Sequence, residues 1–350
     1  MYLTQLRLRN VGPFDDVTLP FTDEHGEPRR VTVILGESGA GKTTLLGAIA
    51  HTRPGLCVTP PRVREGAAGF VVARYRLGAD DPARPHDLVV ASPTADLGEA
   101  ATEAAIRKRE QAHFDKQAES RGFCVIPLSA ARWASRVAAV GATPDRPLSA
   151  MEHRAHATFD DATKADLARE VKQALVNAVT GAALRAFQPR EPKGEPERRN
   201  LDETYRRTLT ALLAEGDATF EGIDSSTFEP LFRDPGGRLV TFDELPFSAK
   251  ARVLLGTIVL RRLSLAYPGQ DPLACEGIAL IDAVDLHLAL GRQREIVPVL
   301  KNAFPKLQFV LTTQSPLVVE GCAHDERIVL SRDLETGQLA ITHGPSTVLH

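Results

Sequence analysis

Apolar and polar residues alternate near the amino terminus, and nearly continuous apolar runs appear further along the chain. Tyr2–Arg9 and Val17–Phe21 alternate, which is typical of strands with one buried face. Val31–Leu35, Gly277–Ile281 and Leu307–Leu311 are mostly apolar, which favours strands covered on both sides of a sheet. The pattern therefore predicts an α/β protein with a buried central sheet.

Longer segments of helix-forming composition separate these strands. Those between residues 100 and 214 predict a mostly helical insertion beside the sheet. Helices are predicted at Lys42–His51, Leu97–Glu119, Asp161–Phe187, Leu201–Glu215, Ser248–Tyr267 and Arg292–Ala303. Further strands are predicted at Phe70–Leu77, Leu88–Ala91 and Phe123–Leu128, on both sides of the turn within Thr227–Thr241, and in a closing hairpin of Ile328–Ser331 and Leu339–Thr342.

The composition is that of an ordinary globular protein, with 350 residues, 43% hydrophobic and 25% charged. A net charge of -3 argues against nucleic-acid binding over the whole protein surface, but it does not exclude a local basic patch. The amino terminus lacks the layout of a signal peptide, and no apolar run approaches the roughly 20 residues that span a bilayer. We therefore expect a cytoplasmic protein without a membrane partner. Its 4 scattered cysteines predict free thiols.

A complete phosphate-binding pattern follows the strand predicted at Val31–Leu35. Residues 36–43 read GESGAGKT and match G-x-x-x-x-G-K-[ST] at every position. Glycines allow backbone amides to form an anion-binding nest, and the helix that follows adds its positive end. Lys42 is expected to reach the β- and γ-phosphates of ATP, and the Thr43 hydroxyl to ligate Mg²⁺. The predicted nucleotide contacts here are Gly36, Glu37, Ser38, Gly39, Ala40, Gly41, Lys42, Thr43 and Thr44.

A second feature of a magnesium–nucleotide site is an acidic residue at the end of another buried strand. Gly277–Ile281 is wholly apolar and is followed directly by Asp282. Ligands of open α/β sheets bind at the carboxyl edge of the strands. We therefore predict that Asp282 and Thr43 hold Mg²⁺ together.

The two ends of the chain resemble a known group of proteins. Leu280–Val319 reads LIDAVDLHLALGRQREIVPVLKNAFPKLQFVLTTQSPLVV and is similar to the ABC-type ATPase heads of the RecF/SMC/OLD-like group, the AAA family ATPases. In that group the pattern is LIDE-x-D-x-HLHP, a helix, and a strand that ends in T-H-S-P. The opening LRLRNVGPF and the phosphate loop resemble the same group, and Phe123–Trp133 resembles, more weakly, a strand ending in Arg. The resemblance covers roughly residues 1–50 and 240–332.

This resemblance implies an ABC-type head with a mixed sheet and a helical insertion. Residues 1–99 would form the N-terminal part of the head, residues 100–240 the insertion, and residues 241–350 the C-terminal part. In the group, two heads pair head-to-tail and enclose ATP between the phosphate loop of one and a signature helix of the other. A Glu directly after the acidic-strand Asp activates water, and a His in the T-H-S-P turn senses the γ-phosphate.

The chain departs from the group at these catalytic positions. Ala283 stands where the Glu belongs, and Gln314 stands where the His belongs. The signature is represented at best by residues 247–252, FSAKAR, where Ser248 keeps its place and Lys250 replaces the Gly; a shift by one residue would place Ala there instead. Changes at several motifs favour natural divergence over a single engineered change that traps ATP.

Loss of the Glu predicts slow or absent hydrolysis, because a missing general base typically costs about 10²–10⁴ in rate. Asp285 is not expected to substitute, since the group has an Asp at that place as well. Gln314 can still hydrogen-bond a phosphate oxygen, and Ser248 could contact the nucleotide of a second head.

Basic residues cluster at four places in the sequence. Most such runs are solvated helix faces, but those of the insertion could also form a track for DNA or RNA. Aromatic residues make up only 5% of the chain, which does not favour base stacking of the single-strand kind. The clusters are Arg107-Lys108-Arg109, Arg198-Arg199, Arg206-Arg207 and Arg261-Arg262.

The sequence thus predicts an ATP-binding ATPase head that dimerises on ATP with a second copy of itself or a related head. By the resemblance, it would regulate an effector such as a nuclease in DNA repair or anti-phage defence. Two alternatives stay open: an active, DNA-stimulated ATPase with another residue as base, and a non-enzymatic scaffold that nucleotide stabilises.

Overall fold

The fold is described from a computed structural model that covers residues 1–52, 69–77, 87–95, 97–116, 124–138, 140–146, 166–187, 200–213, 216–333 and 339–343. Its strands are β1 (Tyr2–Val11), β2 (Phe14–Pro20), β3 (Val31–Gly36), β4 (Phe70–Arg76), β5 (Leu88–Ala91), β6 (Val125–Leu128), β7 (Thr219–Ile223), β8 (Pro230–Arg233), β9 (Leu239–Thr241), β10 (Gly277–Ile281), β11 (Leu307–Thr313), β12 (Arg327–Arg332) and β13 (Leu339–His343). Its helices are α1 (Lys42–His51), α2 (Ala101–Lys116), α3 (Ala168–Phe187), α4 (Leu201–Leu212), α5 (Phe247–Ala266), α6 (Leu290–Gln293), α7 (Ile296–Ala303) and α8 (Pro316–Glu320).

The predicted buried strands form the centre of a six-stranded sheet in the order β13-β12-β3-β11-β10-β6. All neighbours pair in parallel except β12 and β13, which form the predicted closing hairpin. Leu311 pairs with Val33 on one side and with Ile281 on the other. The carboxyl ends of β3, β11 and β10 therefore lie side by side at one edge of the sheet.

The alternating amino-terminal strands form a second, antiparallel sheet in the order β2-β1-β4-β5. Its apolar face, helix α1 and one face of the six-stranded sheet share a single core, to which Leu6, Leu45, Ile49, Leu280 and Val310 belong. Because α1 lies between the two sheets, the loop that precedes it is held at the carboxyl edge of β3.

The opposite face of the six-stranded sheet is covered by helices α3, α4, α5 and α7. Helix α5 is buried along most of its length, and Val253, Ile258 and Leu263 are each at most 2% exposed. A small antiparallel sheet of β7, β8 and β9 leads directly to the start of α5. The segment between β6 and β9 and the signature-like helix α5 therefore pack together in one hydrophobic core.

Two sequence expectations need correction or refinement. The single helix expected at Arg292–Ala303 is wrong, because it divides into α6 and α7 at residues 294–295. Pro298 has no backbone N–H to donate to the carbonyl of Arg294, so a continuous helix would lose that bond. Strand β6 lies within the segment expected as a mostly helical insertion, yet it pairs with β10 in the central sheet. The limits of that insertion remain a prediction.

None of the described helices is long and apolar enough to cross a membrane. Cys124, Cys275 and Cys322 are buried and form no disulfide, as their scattered spacing predicts, and Cys57 lies outside the described residues. Burial raises the pKa of the Cys322 thiol to about 11, which keeps it protonated at neutral pH.

Candidate nucleotide-binding site

The phosphate loop connects β3 to α1 at the carboxyl edge of the central sheet. Gly39 and Gly41 have φ angles of 81° and 94°, in the left-handed region that favours glycine. A Cβ added at Gly36 would lie 2.7 Å from the carbonyl oxygen of Leu330, so a larger residue would not fit there. The glycines of the pattern are therefore required by the backbone path, and this path leads into the amino-terminal end of a helix that favours anions.

The Lys42 ammonium lies over this loop. Its Nζ donates to the carbonyl oxygens of Gly36 at 2.7 Å and Glu37 at 2.8 Å. Partial burial lowers the pKa of Lys42, and the carboxylates of Asp282 and Asp285 oppose that shift. A positive charge is thus held against the concave side of the loop, at the position where the sequence predicts phosphate contacts.

Asp282 and Thr43, the two predicted magnesium ligands, are in direct contact. The Thr43 hydroxyl donates to Asp282 Oδ2 at 2.8 Å, although 239 residues separate them. The other carboxylate oxygen accepts a hydrogen bond from the Thr312 hydroxyl, and Asp282 is only 5% exposed. One hydroxyl and one carboxylate are oxygen ligands of the kind that Mg²⁺ takes beside phosphates and water. The residues present therefore fit a Mg²⁺–nucleotide site.

The turn after Asp282 has an unusual backbone. Ala283 has a φ of 47°, a conformation that is costly for a residue with a Cβ. Its N–H donates to the Thr312 hydroxyl oxygen at 2.8 Å. The Thr313 hydroxyl donates to Asp285 Oδ1 at 2.5 Å. Asp285, a nearby carboxylate that was considered as a replacement for the missing Glu, is therefore already bonded to the neighbouring strand.

Thr312 and Thr313 are site residues that the sequence interpretation did not identify. They end β11, which lies between the strands that carry the phosphate loop and Asp282. A pair of hydroxyl residues at the carboxyl end of an apolar strand is the signal that could have identified them. Gln314 follows directly and is exposed at the same edge.

Ser248 lies in the first turn of α5 and is half-buried. Its hydroxyl accepts a hydrogen bond from the Ala289 N–H at 3.3 Å. Among the described residues, Ser248 makes no hydrogen bond with the phosphate loop. Arg252, the other signature-like residue, is 3% exposed and pairs with Asp217 at 2.8 Å, so it is a buried structural group.

The remaining residues of the predicted loop differ in exposure. Glu37, Ser38 and Gly39 are exposed, whereas Ala40 and Thr44 are buried. The Thr44 methyl group lies close to the β1–β2 turn, where a Cβ added at residue 12 would be 2.8 Å from it. Nucleotide contacts at these positions remain predictions.

The basic clusters are mostly engaged in ion pairs where the structure describes them. Arg206 pairs with Asp202 at 3.0 Å and donates to two carbonyl oxygens of β7. Arg261 pairs with both Asp145 and Glu170. Arg198 and Arg199, one of the clusters suggested for a nucleic-acid track, lie outside the described residues. These contacts favour structural ion pairs over a continuous track, and nucleic-acid binding stays a prediction.

Part of the chain is similar to a known domain family and to several known proteins. The AAA domain family matches residues 5–52, from β1 through the phosphate loop and α1. The retron Vc95 probable ATPase of Vibrio cholerae serotype O1 biovar El Tor is 35% identical over 111 residues, which are 31% of this chain and 22% of that relative. The Septu protein PtuA of Bacillus mycoides (strain KBAB4) is 50% identical over 60 residues, which are 17% of this chain and 8% of that relative. The chain thus spans less than a quarter of either relative.

Among solved structures, a crystal structure of the Smc head bound to the C-winged helix domain of ScpA resembles the whole chain. The likeness covers 98% of each chain with a TM-score of 0.52 and 13% sequence identity. This likeness establishes the fold alone, a P-loop NTPase fold with a mixed sheet that is similar to ABC-type ATPase heads, as the sequence predicts.

Proposed function

We propose that this chain, an ATPase head of the SMC/RecF/OLD-like group, binds Mg²⁺–ATP and uses the bound state to pair with a second head. The observation that carries this proposal is the contact between Thr43 and Asp282 above the phosphate loop. This contact brings the phosphate loop, the Lys42 ammonium and two oxygen ligands together at one edge of the sheet. Bound ATP would supply the γ-phosphate that is presented to the partner head.

Slow hydrolysis is the second part of the proposal. The turn after Asp282 carries Ala283, which has no group that accepts a proton. Asp285 is held by Thr313, and Gln314 cannot carry a proton in place of a His. An ATP-bound state of long lifetime would suit a protein that signals to another protein better than one that performs repeated mechanical work.

The pathway is proposed by similarity alone. Two relatives are named as an ATPase of a retron and as a Septu protein, and both match this chain over part of their length. We propose that the head controls an effector, such as a nuclease, in anti-phage defence, with DNA repair as the related possibility. A fold supports many functions, so the partner must be identified by experiment.

Replacing Lys42 with Ala is expected to weaken ATP binding at least about tenfold, or about 1.4 kcal/mol. The change removes the ammonium that lies over the loop and leaves the glycines in place. Calorimetric titration with ATP measures it. Lys306→Ala is the matched control, because this exposed lysine directly precedes β11, at the opposite edge of the sheet. Equal affinities for Lys42→Ala and the unchanged chain would contradict the proposed site.

The two alternative functions, an active DNA-stimulated ATPase and a non-enzymatic scaffold, predict different results with the same purified protein. An active ATPase on DNA would show turnover that duplex or single-stranded DNA stimulates and that salt suppresses, because phosphate contacts release counterions. A non-enzymatic scaffold would retain nucleotide through purification and would not exchange it for added labelled ATP. The proposed function expects exchangeable ATP, little turnover and an increase in dimer on ATP addition.

A further inference from the structure

The side chain of Arg132 reaches the turn that carries the magnesium ligand. Arg132 follows β6 and is 6% exposed. Its guanidinium donates to the carbonyl oxygens of Ser129 at 2.9 Å, of Asp282, and of Ala283 at 2.7 Å. One side chain therefore connects the edge of the sheet with two successive peptide groups beside the site.

Burying a guanidinium is costly unless its N–H groups are hydrogen-bonded or its charge is paired. Burial lowers the pKa of Arg132 to about 10, and the nearby charges of Asp282 and Asp285 oppose the shift, so the group stays charged at neutral pH. Its hydrogen-bond acceptors are neutral carbonyl groups and not a paired carboxylate. The contacts are thus suited to fixing the backbone, and not to neutralising a partner.

Arg132 bonds to a turn whose backbone conformation is unfavourable. Ala283 occupies the left-handed region, with a φ of 47°. Its N–H is bonded to Thr312, and its carbonyl is bonded to Arg132, so the residue is tied at both ends. The Asp282 carbonyl is bonded to Arg132 as well, while its carboxylate faces the Thr43 hydroxyl. The orientation of this carboxylate therefore depends on the anchored turn.

We propose that Arg132 is a positioning residue of the Mg²⁺–nucleotide site, which holds the carbonyls of Asp282 and Ala283 and thereby presents the Asp282 carboxylate to the cation. The inference rests on the proposed function, since it requires that Mg²⁺ binds with the nucleotide. Lys cannot perform this role, because a compact ammonium lacks the planar fork that reaches several carbonyls at once. It does keep the positive charge, so the substitution separates geometry from electrostatics.

The test is Arg132→Lys, with Arg136→Lys as the matched control on an exposed arginine of the same segment. A non-hydrolysable ATP analogue is titrated by calorimetry in excess Mg²⁺ and in excess EDTA. In EDTA, Arg132→Lys should bind within about twofold of the unchanged chain, because the phosphate loop is intact. The gain in affinity on adding Mg²⁺ should fall by roughly 10- to 100-fold, as is typical when a group that orients a metal ligand is lost. Arg136→Lys should change neither quantity.

Thermal unfolding of the same proteins separates positioning from a general structural role. If Arg132→Lys weakens binding equally with and without Mg²⁺, in step with a lower melting temperature, Arg132 only supports the fold and the inference is wrong. An unchanged gain from Mg²⁺ would also overturn it. If the unchanged chain fails to bind the analogue under either condition, the proposed function itself fails, and this inference fails with it.

Discussion

Replacing Ala283 with Glu is expected to raise steady-state phosphate release by about 10² or more, at the lower end of the 10²–10⁴ that a general base contributes. The new carboxylate would directly follow Asp282, whose contact with Thr43 lies at the proposed magnesium site. Ala283 already has a Cβ in the left-handed region, so the longer side chain adds no new backbone conflict. Gln314 and the altered signature are unchanged in this variant, which is why we expect a partial rescue.

The decisive measurement compares phosphate release by the unchanged chain, Ala283→Glu and Ala283→Gln. The Gln variant has nearly the same shape as the Glu variant but lacks a group that accepts a proton at neutral pH. It should remain as slow as the unchanged chain. Turnover of about 1 s⁻¹ or faster by the unchanged chain, near the low end of typical enzyme rates, would show that another group acts as base. Asp285 or a residue of a second chain would then be the candidate.

Replacing Lys172 with Met is expected to reduce the free energy of unfolding by about 3 kcal/mol, at the lower end of the roughly 3–5 kcal/mol for a broken buried ion pair. The Lys172 side chain is 0% exposed and pairs with Glu229 and Asp243, each at 2.8 Å. Its Nζ also donates to the Val137 carbonyl oxygen at 2.8 Å. Met fills a similar volume but leaves two carboxylates without their cation, and these retain limited access to solvent.

Urea unfolding measures this loss, and Lys301→Met provides the control. Lys301 pairs with Glu326 at 2.7 Å, but its side chain is 40% exposed. Such pairs contribute about 0–1 kcal/mol, so the control should remain close to the unchanged chain. If the two variants lose equal stability, the buried ion pairs of Lys172 do not stabilise the fold more than an exposed pair does, and the prediction is wrong. Because Asp243 lies in the short 3₁₀ turn Phe242–Glu244, shortly before the start of α5, the cluster also links the beginning of the signature-like helix to α3.

The sequence alone was sufficient for the parts of the site that lie close together along the chain. The phosphate loop could be identified from residues 36–43 alone, since the φ angles of Gly39 and Gly41 and the helix that begins at Lys42 are local properties. The end of a wholly apolar strand at Asp282 could likewise be identified locally. The departures at Ala283 and Gln314 were visible because they stand inside a recognisable pattern of neighbours.

Apart from the pairing of Thr43 with Asp282, which the two motifs together predict, contacts between distant segments could not be predicted in this way. The order of the strands places Thr312 between the phosphate loop and Asp282. The pair of hydroxyl residues at the end of β11 marks Thr312 as a candidate site residue, but it does not indicate that Asp282 is its partner. Arg132 belongs to the segment with the weaker resemblance, and it anchors the turn at Ala283, 151 residues away. The assignment of β6 to a helical insertion was incomplete for the same reason, because a short apolar strand does not reveal its partner.

What the sequence determined by itself is therefore the chemistry that is available: a phosphate cradle, a lysine, a hydroxyl, one acidic strand end, and an alanine where a base is expected. These follow from backbone preferences and side-chain types over a few neighbouring residues. Only the tertiary structure decided how they meet. The parallel pairing of β3, β11 and β10 brings Thr43 to Asp282, and Arg132 and Thr312 then fix the turn between them. Such contacts depend on strand order and on the burial of charge, which are properties of the packed chain and not of any one segment.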